Sequence, residues 1–183
     1  AWFGDDLRCG ACEIRPGVEI ASKATTPLTW RAGGVARSGA KLITEHDGAP
    51  AFGGTPSDDS VLQAIAELKA RGYKVALYPF VLMDVPAENA LPDPYGAEAQ
   101  AAYPWRGRIT VHPAPGESGS PDQTGAAVTQ TTNFFGAATP AHFAIASGAP
   151  SYSGPAEWSY RRFILHNAKL AALAGGVDAF IIG

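Results

Sequence analysis

The sequence has no run approaching the roughly 20 continuous apolar residues needed to cross a bilayer, so no segment reads as transmembrane. Its N-terminus lacks the charged-then-apolar layout of a signal peptide. A basic surplus is also missing: 14 Lys and Arg stand against 17 Asp and Glu, a formal charge of −3, with no cationic stripe to neutralise phosphates. Nucleic acid is therefore not an expected partner. Cysteine is scarce, and Cys9 and Cys12 are too few for a disulfide scaffold; their single Cys-Gly-Ala-Cys spacing leaves the redox compartment open. Gly53-Gly54-Thr55-Pro56 lacks the lysine and spacing of a phosphate loop, and no dinucleotide fingerprint is present, so no cofactor is expected. The histidines, His46, His112, His142 and His166, are scattered singly, and one cysteine pair without a second does not close a zinc site. No metal is expected either.

What is present is ordinary globular composition, 46% hydrophobic and 17% charged over 183 residues, enough for one domain with a sizeable core. Ser57 or Asp58 can cap a helix whose apolar positions Val61, Leu62, Ile65 and Leu68 fall at helical spacing, with Arg71-Gly72 as its stop. The nearly continuous apolar run 74–84 then reads as a parallel strand covered on both faces. Pro79 cannot donate a ladder hydrogen bond, so the regular part is expected at Val75–Tyr78 with an irregular continuation. The order repeats: a helix opens near Ser153-Gly154-Pro155-Ala156-Glu157 and runs to about Ala174, Gly175-Gly176 closes it, and Val177–Ile182 reads as a strand. Helix followed tightly by strand, twice, argues for βα units and a parallel sheet. Both ends of the sequence read as lying inside or beside strands.

Between these units, residues 85–152 form an excursion rich in Pro, Gly, Ala, Ser and Thr, far longer than the median connection of about 4–6 residues. Phe134, Phe135, His142, Phe143 and Ile145 supply apolar anchors, so the expectation is a partly ordered flap packed back on the rim. Residues 15–50 are harder to read, with a hairpin or short helix expected around Leu28–Ile43. Glu45-His46-Asp47 precedes a glycine and reads as a solvated turn.

Four segments carry a likeness: Trp2-Phe3-Gly4-Asp5-Asp6-Leu7-Arg8-Cys9, Gly53-Gly54-Thr55-Pro56-Ser57-Asp58, Tyr78-Pro79-Phe80-Val81-Leu82-Met83-Asp84, and Tyr160-Arg161-Arg162 through Gly175 to Gly183. Together, in this order, they make the chain resemble the TIM-barrel-like, glycoside-hydrolase-like domain of the tail-tip baseplate hub protein of gene transfer agents and related tailed phages. The resemblance implies an α/β fold, the N-terminal part of a (β/α)8 TIM-barrel-like domain over residues 1–183, with 85–152 as a long inserted region and the barrel incomplete. An eight-stranded barrel typically takes about 250 residues. It further implies a place in the tail of a virion-like particle, made in the bacterial cytoplasm and acting at the cell envelope. The implied partners are other tail and baseplate proteins and cell-surface glycan, peptidoglycan or surface polysaccharide, with a homotrimer as the state a tail hub suggests. In the family's pattern a glutamate closely follows the Ile-Ile-Gly segment at the end of a fourth strand, which puts the expected catalytic acid beyond Gly183.

Sugar cleavage needs two carboxyl groups, one with a raised pKa to protonate the leaving oxygen and one ionised. In a TIM barrel they come from C-terminal strand ends. Asp5 and Asp6 follow the first strand and Asp84 follows the strand after the first helix; these are the candidate catalytic acids. The same residues can instead serve structure, Asp5 and Asp6 pairing with Arg8, and Asp84 making a turn with Pro86. Glycan clefts also need aromatic platforms and charged hydrogen-bond donors. Asp5, Arg8, Asp84, Tyr103, Trp105 and Arg106 are accordingly the candidate substrate-binding residues, with loop anchoring as the other reading of Trp105 and solvation that of the arginines. Trp158 and Tyr160 fit helix packing better than sugar stacking. A redox role for Cys9 and Cys12 is disfavoured because Pro16 and Gly17 would stop a thiolate-stabilising helix within a turn. Two functions remain open: a carbohydrate-active module, and a catalytically inactive structural or receptor-binding module of the tail baseplate. An unrelated truncated α/β enzyme is a third.

Overall fold

The computed structural model describes residues 1–104 and 108–182. Trp2–Gly4 is buried at every position, as expected for a strand covered on both faces. It runs parallel to Val81–Met83 in the register Trp2 to Val81, Phe3 to Leu82 and Gly4 to Met83. Ala76–Leu77 runs parallel to Ala179–Phe180. The 76–83 segment therefore serves two neighbours in succession, one before Pro79 and one after it. Proline lacks an N–H, and the ladder changes partner where that donor is missing. The Trp2 N–H nonetheless closes the gap by donating to the Phe80 carbonyl at 3.2 Å.

Three parallel strands thus lie in lateral order, 2–4, 76–83 and 179–180, joined by helical crossovers as in the opening of a βαβ series. Among the described residues they do not close a barrel. The terminal strand is third in this row, where the family pattern expects a fourth. On its other side Trp2–Gly4 pairs antiparallel with Ile14–Arg15.

The first crossover carries helix α1, Asp58–Ala70, and the second carries α3, Tyr160–Leu173. Ser57 caps α1, its Oγ accepting from the Ser60 N–H at 3.1 Å, which frees Asp58 to point inward. The α3 helix begins at Ser159, whose Oγ accepts from the Arg162 N–H, so the expected start near Ser153 is an extended lead-in instead. At the far end of α3 the Lys69 ammonium from α1 donates to the carbonyls of Ala174, Gly175 and Gly176, each at 3.1 Å. One lysine caps the neighbouring helix where its carbonyls lack partners.

The 85–152 excursion is more ordered than its composition suggests. It contains α2, Gly125–Phe135, capped by Thr124, and a hairpin, Phe143–Ala146 with Ala149–Tyr152. Phe134 stacks on Tyr160 of α3 at 5.3 Å between centroids, which ties the excursion to the sheet-covering helix. In the 15–50 region, Arg31–Ala32 and Val35–Ala36 make a hairpin with Gly33 and Gly34 at its tip. Gly33 has φ +63° and a Cβ there would lie 2.7 Å from the Trp2 ring, so both backbone and space require glycine. Asp47-Gly48 forms a second tight hairpin turn, both residues at positive φ, between Glu45–His46 and Ala49–Pro50.

The main core gathers Trp2, Leu7, Cys12, Ile14, Met83, Val85 and Phe163. A smaller cluster, Val18, Trp30 and Ala32, supports the 15–50 region. Arg162 is buried between rings, its guanidinium 3.6 Å from the Trp158 centroid and 4.1 Å from that of Tyr152. It also donates to the carbonyls of Glu157 and Gly33, joining α3 to the hairpin tip.

Candidate functional site at the strand ends

Because Gly4 pairs with Met83 in a parallel register, the next residues, Asp5 and Asp84, follow the C-terminal ends of adjacent strands. This is the face on which parallel α/β folds build their sites. The two aspartates meet different surroundings there.

The Asp84 side chain is wholly buried and fully occupied. Lys41 Nζ lies 2.8 Å from Oδ2, and the Thr44 hydroxyl donates to Oδ1 at 2.6 Å. The Thr44 N–H faces both oxygens at 3.3 Å. Lys41 is delivered by the short parallel pair of Lys41–Leu42 with Gly17–Val18, and its N–H donates to the Pro16 carbonyl. Asp84 therefore anchors the 41–44 segment and makes no turn of its own with Pro86.

Asp5 is half-buried and accepts a hydrogen bond from the Glu13 N–H at 2.9 Å. Burial pushes its carboxyl up; the Glu13 N–H and the charge of Lys41 oppose this without cancelling it. Asp6 behaves in the opposite way. Burial acts to raise it too, but Arg8 grips it through Nε at 3.0 Å and Nη2 at 2.6 Å, and the Gln100 amide donates at 2.7 Å. The net position lies below the ordinary aspartate range. Asp6, Arg8 and Gln100 form a structural knot between the first strand end and the excursion. Arg8 is consumed by it, and of the first two acids only Asp6 takes Arg8 as partner.

Tyr103 does reach the strand ends. Its Oη lies 3.3 Å from the Thr44 hydroxyl and its ring packs against Phe52 and His46, with centroids 5.9 and 5.5 Å apart. Phe52 in turn meets Phe3, so an aromatic row runs from the strand to the surface. Tyr103 holds φ +43°, a costly backbone state for a bulky residue. Trp105 and Arg106 lie outside the described residues.

The structure thus gathers Asp5, Asp84 and Tyr103 at one end of the strands, and sets Asp6 and Arg8 aside as a structural pair. Sequence reading missed Lys41 and Thr44. No local signal marks them, since they are 40 or more positions from Asp84, Lys41 in a two-residue strand and Thr44 in the irregular link that follows it. It also missed the buried pair His166 and Asp58, with Nε2 to Oδ1 at 2.9 Å, which ties α3 to the start of α1.

Cys9 and Cys12 are both free and buried. The Arg8 carbonyl accepts from the N–H groups of Ala11 and Cys12, so the motif is one tight turn. Burial raises the Cys9 thiol and pushes that of Cys12 up to about 12, which disfavours the thiolate that redox attack needs. The turn lines an open cavity of about 480 Å³ with Glu157 and Trp158. Among the described residues no group of three His, Cys, Asp or Glu side chains is arranged to hold a metal ion, and no helix is long and apolar enough to cross a membrane.

Residues 158–183 match the family model of the GTA TIM-barrel-like domain, a segment that spans α3 and the last parallel strand. The match supports the resemblance to the gene transfer agent family over that helix–strand unit. No curated protein matches the chain.

Proposed function

We propose that this chain is part of a glycoside-hydrolase-like barrel in a particle-associated, phage-type tail-tip protein, and that it acts on or binds cell-envelope glycan. The observation that carries the reading is the register that sets Asp5 beside Asp84 at the ends of adjacent parallel strands, with the Tyr103 aromatic row alongside. Asp5 has what a general acid needs: partial exposure, a raised pKa and an accessible face. Tyr103, backed by Phe52 and His46, offers an apolar ring against which the C–H face of a sugar can stack. Assembly with other tail and baseplate proteins is part of the same proposal, with a trimeric hub as the arrangement that a tail-tip setting suggests.

A second reading rests on its own observation. Asp84 is saturated by Lys41 and Thr44, so the described strand ends offer one available carboxylate where hydrolysis needs two. That favours a barrel retained as a glycan-binding or structural module, since fold alone does not imply function.

Co-sedimentation of the full-length parental protein with purified peptidoglycan sacculi, alongside zymography on the same material, separates the two. Binding with clearing supports an enzyme, and binding without clearing supports the inactive module. Neither binding nor clearing by a folded protein removes the glycan reading.

A further inference from the structure

The turn 9–13 follows the C-terminal end of the first strand, and residues 156–159 lead into α3. Between them and the C-terminal end of α2 lies the open cavity of about 480 Å³. That volume falls within the roughly 300–1,000 Å³ of small-molecule sites. Glu13 connects it to the strand ends, since it lines the cavity while its N–H donates to Asp5 at 2.9 Å.

The wall carries fixed acceptors and unused donors. The Ala138 N–H and the Ser159 hydroxyl donate to Glu157 Oε1 at 2.9 and 2.7 Å, and the Ala137 N–H donates to Oε2 at 2.9 Å. Burial acts to raise the Glu157 carboxyl, but these donors hold it below the ordinary glutamate range. Glu13 adds a second carboxylate, paired with Arg15 at 2.5 Å and partly exposed. Against them stand the Asn133 amide, the Thr132 hydroxyl and the Trp158 indole N–H, which have no hydrogen-bond partner among the described residues. The Arg162 guanidinium, 3.6 Å from the Trp158 ring centroid, covers that ring and holds its N–H in place. Among the described residues no Lys, Arg or His side chain lines the cavity.

We infer that this cavity is a subsite for one uncharged pyranose ring, set next to Asp5 and joined to it through Glu13. The inference deepens the glycan reading above and rests on it for its role in envelope binding. Each sugar hydroxyl both donates and accepts, so one ring can pair with carboxylates and with amide, hydroxyl and indole donors together. Two carboxylates with no cation in the wall repel phosphate, sulfate and uronic acid groups. An apolar ligand would take water from the three donors and return no hydrogen bond.

The test is isothermal titration calorimetry of the full-length parental protein with chitotriose and maltotriose, and with trigalacturonate as the anionic counterpart. Wild type is expected to bind at least one of the neutral sugars and not trigalacturonate. Asn133→Ala and Thr132→Ala, both at exposed positions of α2, are each expected to weaken that binding about 3–10-fold, the loss of one hydrogen bond. Ala11→Phe, on the exposed turn, fills the cavity without touching a polar group and is expected to abolish binding. Should Ala11→Phe fail to fold, the double variant Asn133→Ala with Thr132→Ala is expected to bind more weakly than either single variant.

The inference is overturned if the folded wild type binds neither neutral sugar, if trigalacturonate binds equally well, or if affinity is unchanged in Asn133→Ala and Ala11→Phe. Neutral-sugar binding that these variants weaken, together with no binding to sacculi, sinks the envelope reading and leaves the subsite standing. Sacculi bound alike by wild type and Ala11→Phe, with neither sugar bound, sinks the subsite and leaves the glycan reading standing.

Discussion

Asp5 and Asp6 are adjacent in the chain, and burial acts on both, but their hydrogen bonds decide the outcome in opposite senses. Asp6 is held below its unfolded value, so between the two values the unfolded chain binds the extra proton and stability rises with pH. The stabilisation from Asp6 is complete above an unfolded aspartate pKa of about 4 and is lost as pH falls through its folded value. Asp5 is raised, so the folded state holds the extra proton, and stability falls as pH climbs from about 4 through the folded value. Asp5→Asn, which keeps the acceptor for the Glu13 N–H, is therefore expected to raise the melting temperature at neutral pH. Asp6→Asn is expected to lower it there and to flatten the acid limb. Thermal melts of both variants from pH 3 to 8 check the signs. At the same scale, a Cys12 thiol pushed up to about 12 is expected to resist iodoacetamide at pH 8 in the native protein and to react once urea exposes it. Mass spectrometry of native and unfolded samples reads this directly, and rapid native alkylation of Cys12 would contradict the buried turn.

At the scale of elements, Lys69 makes an exposed tie, capping α3 from α1 through three carbonyls. Lys69→Met is expected to cost about 1 kcal/mol, the order of a cation at a helix C-terminus, and to loosen the α3 end before the core opens. Hydrogen exchange at residues 174–176 is the measure, with no change there counting against the cap. The helices differ in how plainly the sequence announces them. Ser57, the apolar spacing of Val61, Leu62 and Ile65, and Arg71-Gly72 mark α1 at both ends, and its expected bounds lie close to those observed. The second helix, α2, stays hidden because Gly125-Ala-Ala-Val-Thr-Gln-Thr-Thr-Asn-Phe-Phe carries no charge and is rich in β-branched residues, so propensity argues for loop. It forms because Phe134 finds Tyr160, a tertiary contact that local sequence does not display. The break at Pro79 was legible, but the irregular continuation expected after it is instead the regular strand Val81–Met83, and the two halves serve different neighbours. At the candidate site, Asp5 and Asp84 were legible from their positions after strands. Lys41 and Thr44 were not, because a two-residue strand and the irregular link after it leave no periodic pattern to read.

At the scale of the whole molecule, three parallel strands with two helical crossovers place their C-terminal ends together, and the 85–152 excursion brings Tyr103 to that same end. This is the arrangement on which the glycan reading depends. Its weak point is the second carboxylate, since Asp84 is spent on Lys41. If the protein hydrolyses glycan, Asp5 is expected to supply the proton and its loss is expected to cost about 10²–10⁴-fold in rate, the usual contribution of a general acid. The most direct measurement is release of new reducing ends from purified sacculi by the full-length parental protein, wild type against Asp5→Asn, with bound protein quantified in the same samples. Both proteins are expected to bind the sacculi, and any release by wild type is expected to be abolished in Asp5→Asn; equal measurable release by the two, or no binding by either while folded, would contradict the glycan reading.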